Sequence, residues 1–292
     1  MEYITVFLQY LEYEKRYSRH TVDAYERDLL AFREFLSECK EEEREINFKS
    51  IRRWIVDLSI KKKSAKTVNR KIATLRSYFK YLMKRGLVES SPMEKVVALK
   101  SEKKMPVFVE NEKLDELLDV KMTDVSDFES TRDKLLLELF YMTGMRLSEL
   151  INLKDSDVDR SAMSVKVLGK RNKERIIPLP EPFCSRVESY IALKKTVFPD
   201  IDNLFVSNQG KPIYARWTQR LTAAKLSDVT LAKKRSPHVL RHSFATNMLV
   251  GGAELNAIKE LLGHTNLSAT QIYTHSSLNR IKKVYQQAHP WA

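Results

Sequence analysis

The sequence predicts a mainly α-helical protein of two domains, the second a mixed α/β domain with a small antiparallel sheet. Three observations predict it. From residue 1 to about 87 apolar residues recur at three- and four-residue steps, the mark of amphipathic helices. Residues 88–108, VESSPMEKVVALKSEKKMPVF, break that pattern with two prolines, a serine pair and scattered lysines, which reads as a linker between residues 1–87 and 109–292. Further on, MSVKVL (163–168) and ERIIPL (174–179) alternate with the period of a strand around the turn GKRNK, which reads as a hairpin.

The elements follow in order. Val22, Tyr25, Leu29, Phe32 and Phe35 form one helical face, with Thr21 ahead of it as the cap. A second helix runs from about Ser50 to Ile60. A third begins near Ser64, carries Val68, Ile72, Leu75, Phe79 and Leu82, and ends at Gly86. Between residues 51 and 85 stand twelve basic side chains against one acid, Asp57. Such one-signed charge predicts a phosphate-facing surface that includes Lys61, Lys62, Lys63, Arg70, Lys71 and Arg76. After the linker a helical pattern restarts near Asn111. Thr131–Met142 is strongly apolar, with Leu135, Leu136, Leu139 and Phe140 inward, and stops at Thr143-Gly144. Beyond the hairpin, helices are predicted near 181–196, 214–225, 238–250 and 254–262. Leu278, Ile281, Val284 and Tyr285 make a last amphipathic helix, whose apolar stripe either closes its own domain or docks on a neighbouring protomer.

Composition narrows the function classes. The chain has 292 residues, 43% of them hydrophobic, and a net charge of +13, which suits a polyanionic partner and above all nucleic acid. Cys39 and Cys184 lie far apart without zinc-ligand spacing and read as reduced thiols. The N-terminus lacks the pattern of a secretory signal, and no uncharged run nears the ~18 residues of a membrane span, so a cytoplasmic location is expected.

Single residues carry little chemistry alone. His238 and Arg241, three apart on a predicted helix, project from one face. His238 and His242 have the spacing of two zinc ligands, but Val239 stands where a metalloprotease glutamate would and Arg241 would repel the cation, so no metal is expected. In order, however, the chain presents Arg146, Lys170, His238, Arg241, His264 and Tyr273, within TGMRLSEL, LGKRNKERIIPL, SPHVLRHSFATNML and LLGHTNLSATQIYTH, and closes on AHPWA. Together with the N-terminal YSRHTVDAYERDL, these segments resemble the tyrosine recombinase (lambda or phage integrase) family, and within it the Xer-type recombinases of bacteria. The resemblance covers nearly the whole chain.

The resemblance implies a SAM-like, helical core-binding domain and a catalytic domain that form a C-shaped clamp on double-stranded DNA. It implies cleavage by the Tyr273 hydroxyl, leaving a 3′-phosphotyrosine and a free 5′ hydroxyl, then rejoining through a Holliday junction. Arg146 and Arg241 match the two arginines that clamp the scissile phosphate, as two cations suit the extra charge of a pentavalent phosphorane. His238 matches the proton acceptor, needed because a tyrosine titrates near pH 10. Lys170 matches the acid that protonates the leaving 5′ oxygen. His264 matches a phosphate ligand and Glu149 an acid that orients the site. Because the phosphodiester bond energy is retained, no cofactor is required, and no phosphate-binding GxxxxGK[ST] loop occurs. A tetramer is implied, with itself or a second recombinase, and a partner DNA translocase of the FtsK type. Chromosome dimer resolution is the leading role, and integration or inversion by a mobile element the alternative. Two departures stand out, Arg171 where many relatives carry glycine, which adds a candidate phosphate contact, and Trp291 in the tail. A non-catalytic DNA-binding regulator has no need of six ordered catalytic positions. A type IB topoisomerase shares the chemistry but not this N-terminal domain or tail.

Overall fold

The chain forms two compact units, Met1–Lys104 and Met105–Ala292, each with its own hydrophobic core. In the computed structural model residues 3–41, 46–100, 113, 114, 116, 127–169, 173–229, 235–263 and 275–290 are described. The helix expected near Asn111 and the second half of the expected linker fall almost wholly outside them.

The first unit is helical. α1 (Ile4–Gln9) runs on as a π-helical turn through Tyr10–Glu14, and α2 (Arg19–Glu38), α3 (Phe48–Ile60) and α4 (Ala65–Lys84) follow. Their apolar stripes meet as the spacing demands, with Leu29, Phe32, Trp54, Ile72 and Leu75 all buried. The caps are local. Asn47 accepts the amides of Lys49 (2.8 Å) and Ser50, and Ser64 accepts that of Thr67 (3.3 Å). α2 starts earlier than Thr21 suggests, with Ser18 at the N-cap.

The first half of the expected linker belongs to this unit. Met93 and Val96 are buried in its core and Leu99 packs on it. The Asn69 amide grips the Leu99 backbone at both ends, 2.8 Å to its carbonyl and 2.7 Å from its N–H. Arg76 donates to the Val96 carbonyl at 2.8 Å. Apolar side chains three residues apart thus hold 93–99 against α4 without helix formation.

The second unit is built on α5 (Phe128–Thr143), buried almost all round and packed against both α7 (Glu181–Val197) and α9 (Pro237–Val250). After it come a single turn, α6 (Leu147–Leu150), and a three-stranded antiparallel sheet in the order β1-β2-β3. β1 is Val158–Asp159, β2 Ser164–Leu168 and β3 Glu174–Pro178, with Val165 opposite Ile177 and Val167 opposite Arg175. The hairpin is the expected one, whereas β1, two residues long, is too short to show in a periodicity.

α8 (Ala215–Val229), α10 (Leu255–Leu262) and α11 (His275–Ala288) complete the unit. α11 packs against α9, α10 and β3 of its own domain, as the closing reading of its stripe requires. Its Ile281, Tyr285 and Ala288 join the second core, and the Tyr285 hydroxyl donates to the Met142 carbonyl at 3.1 Å. The apolar stripe that the sequence leaves unpartnered finds its partner within the chain. Among the described residues no helix is long and apolar enough to cross a membrane.

Candidate active site

The site is assembled where four helices end or begin. α5 stops because Gly144 takes a left-handed φ of +55°, and any Cβ there would drive into the Phe244 ring and Leu262. The chain then turns so that Arg146 caps α6. Glu149, one turn on, accepts the Arg146 amide at 2.7 Å and its guanidinium Nη1 at 2.8 Å. α9 begins with Pro237, which suits a first helical turn, and presents His238 to solvent and Arg241 half-buried one turn later.

The carbonyl end of α10 draws these parts together. A helix leaves its last carbonyls unpaired and carries partial negative charge there. Arg175 donates Nε to the Leu261 carbonyl at 2.8 Å, Arg241 Nη2 to Leu262 at 2.9 Å, and Arg146 Nη2 to Gly263 at 3.0 Å. Arg241 Nη1 also reaches the Gly144 carbonyl at the end of α5. Three consecutive carbonyls thus hold three arginines, and the two predicted from the sequence, Arg146 and Arg241, sit side by side.

Electrostatics register that crowding. Arg241 falls to about 10, first because it is buried and next because Arg146 repels it, with Glu149 pulling the other way and Arg175 adding to the depression. It stays charged at neutral pH. Burial alone would raise the Glu149 carboxyl, but hydrogen bonds and charge from Arg175, then from Arg146, outweigh it and hold the carboxyl below its usual value. Two repelling, partly desolvated guanidiniums beside one carboxylate are stabilised by an added anion.

The other expected positions divide in two. Lys170, Arg171, His264, Tyr273 and Trp291 lie outside the described residues, as does the turn that was expected to carry the lysine. In the first unit Lys61, Lys62 and Lys63 are exposed, Lys61 within 2.9 Å of Asp57. Lys71 is corrected. It is 9% exposed, its Nζ lies 3.0 Å from Asp28 Oδ1 and 5.3 Å from the centre of the Trp54 ring, and so it does not face a solvent-borne phosphate. Arg70 also pairs with the buried Asp28, and Arg76 with the Val96 carbonyl, so both heads are engaged within the unit. Asp28 is an acid far away in the chain, invisible to a count of local charge. Sequence reasoning also missed Arg175. Its signal was present, since Arg175 is in the same alternate register as the inward Ile177.

Comparison with known proteins agrees with this arrangement. A profile described as "Phage integrase family" matches residues 107–280, and "Phage integrase, N-terminal SAM-like domain" matches residues 4–86. Tyrosine recombinase XerC of Chlorobaculum parvum is 36% identical across 98% of this chain and 94% of its own length. XerC of Thermodesulfovibrio yellowstonii is 38% identical across 99% and 96%. Among solved structures, a XerH recombinase bound to its difH substrate in a post-cleavage complex superposes with a TM-score of 0.71 over 90% of this chain and 78% of that one, at 23% identity. The arginine pair, the two-unit fold and these full-length matches lead to one conclusion, that the chain belongs to the phage integrase family and is a tyrosine recombinase, an enzyme that cleaves and rejoins DNA.

Proposed function

We propose that this recombinase performs Xer-type site-specific recombination that resolves chromosome dimers. It works in the cytoplasm on double-stranded DNA, as a tetramer with itself or a second recombinase and with a DNA translocase of the FtsK type. The division of labour is residues 1–87 for core binding of the DNA and 109–292 for chemistry. The observation that carries the proposal is the pairing of Arg146 and Arg241 on adjacent carbonyls of α10, braced by Glu149. The XerC relatives match the chain along almost their whole length.

The mechanism follows from charge and protons. The Tyr273 hydroxyl attacks the scissile phosphorus while His238 takes its proton. The bond to the 5′ oxygen breaks and Lys170 protonates that oxygen. Arg146 and Arg241 hold the non-bridging oxygens, joined by His264, and stabilise the extra negative charge of the phosphorane. Reversal, with another strand's 5′ hydroxyl as nucleophile, rejoins the DNA. Lys61, Lys62 and Lys63, with Arg171, supply phosphate contacts, and Arg70 and Arg76 contribute the exposed edges of their side chains.

A nicked suicide substrate tests this. The wild-type protein is expected to be trapped on a 3′ phosphate, and Tyr273→Phe to bind the same DNA without any covalent product. Trapping by the Phe variant would remove Tyr273 from its role. Covalent attachment mapped across the genome separates a single chromosomal site from the ends of a mobile element.

A further inference from the structure

The hairpin, the Arg146 turn and the end of α10 share one buried side chain, that of Arg175. It is 4% exposed. Nη1 and Nη2 reach the two oxygens of Glu149 at 3.0 and 2.7 Å, and Nε reaches the Leu261 carbonyl at 2.8 Å. The fit is close on the far side as well. A Cβ on Gly263, where φ is +65°, would stand 3.2 Å from Arg175 Nη1. An apolar residue of similar volume would fill this space without the cost of burying a charge. Fold stability alone therefore does not call for an arginine here.

What Arg175 touches accounts for it. Each Glu149 oxygen accepts two donors, one from Arg146 and one from Arg175. We propose that Arg175 is a positioning residue for strand cleavage, which acts through Glu149 to hold the Arg146 guanidinium against the scissile phosphate. This rests on the function proposed for the site, in which Arg146 clamps that phosphate.

The effect runs through the carboxylate. Among the described residues the charged groups facing Glu149 are Arg146 on its own turn, Arg175 from β3 and Arg241 from α9. Without Arg175 each oxygen loses one donor, and burial then weighs against the charged form. A protonated Glu149 grips a guanidinium less tightly than a carboxylate does. Arg146, with a third of its side chain exposed, gains room to leave its position.

The test uses the full-length protein with Arg175→Gln and Arg175→Lys, single turnovers on the suicide substrate and gel shifts on an intact site. Arg175→Gln should bind DNA within about twofold of wild type, while its first-order cleavage constant falls about 100-fold. That constant should climb with pH over a range where the wild type is flat, as a raised Glu149 gives up its proton. Arg175→Lys keeps the charge and should restore the flat profile and much of the rate. A merely structural role predicts otherwise, with less protein trapped at an unchanged rate constant and a lower Tm, and that result overturns the proposal. An independent readout needs no activity, namely the rate at which phenylglyoxal modifies Arg146, read by peptide mass. It should rise several-fold in Arg175→Gln, and an unchanged rate overturns the proposal. If the wild type traps no DNA, the reading of Tyr273 fails, and the modification rate alone decides for or against Arg175.

Discussion

Arg241, half-buried, and His289, buried, show what one side chain sets. Arg241 is braced by two helix ends and repelled by Arg146, so its charge is poised for an anion. Arg241→Ala should lower the single-turnover cleavage rate by about 100-fold or more, the usual loss when one fixed donor to a developing anion is removed. DNA affinity measured alongside should change little. Cleavage should also persist in excess EDTA, since arginines supply the charge; activity lost to EDTA and restored by Mg²⁺ or Zn²⁺ would count against this chemistry. His289 works for the fold instead. Its ring stacks on Tyr285 at 4.7 Å and lies near Tyr141 and Phe244. Burial pushes it down to about 4 against a small opposing hydrogen bond to the Tyr141 backbone. The folded state thus prefers the neutral ring. Its contribution is whole above the unfolded value near 6.5 and is lost as pH falls toward 4, up to about 3 kcal/mol at 1.4 per unit. Across that window Tm should fall with pH in the wild type and fall less in His289→Phe.

At the scale of elements the tail gives the sharpest expectation. Ile281 and Tyr285 are buried in the second core, each worth about 2 kcal/mol of burial. Deleting 279–292 should therefore lower Tm by many degrees rather than only disable contacts between protomers, and a truncated protein that melts as the wild type does would favour the docking reading instead. Helices were the legible part of this fold. Their apolar positions are fixed by a 3.6-residue repeat, and Leu29, Phe32, Ile72 and Leu75 point inward as that repeat requires. The packing of Met93 and Val96 was not legible, because an irregular segment has no period to betray its buried face. The candidate site was legible through its ordered residue types but not through its wiring. A sequence offers Arg146 and Glu149 as neighbours on one turn, whereas the carbonyls of Leu261, Leu262 and Gly263 carry no side-chain signature at all. Lys71 misled for the converse reason, its partner Asp28 lying on another helix.

At the scale of the molecule, the two cores suggest two folding units. Met1–Lys104 expressed alone should show helical circular dichroism and cooperative melting, since its apolar stripes are satisfied within it. A molten, non-cooperative fragment would mean that the second unit completes its core. Charge divides by function within that unit. Replacing Lys61, Lys62 and Lys63 with alanine should leave Tm nearly unchanged and reduce the log–log salt slope of DNA binding by about 0.9 for each phosphate no longer neutralised. Lys71→Ala should do the reverse and lower Tm, because it leaves Asp28 buried with one partner fewer. An unaltered slope in the triple variant would show that these lysines face only solvent.

The end of α10 limits how the protein can change. Its last carbonyls are spoken for by three side chains from three other elements, so its length matters more than its surface. One inserted residue would swing that end by about 100° and advance it by about 1.5 Å, and all three arginines would lose their acceptors at this helix end together. Substitutions at the exposed Leu255 and Asn256 leave those acceptors where they are. Descendants of this chain can therefore drift in the composition of α10 while single insertions and deletions within it are purged, and a designer who exchanges this helix between relatives has to keep its residue count from Gly252 to Gly263.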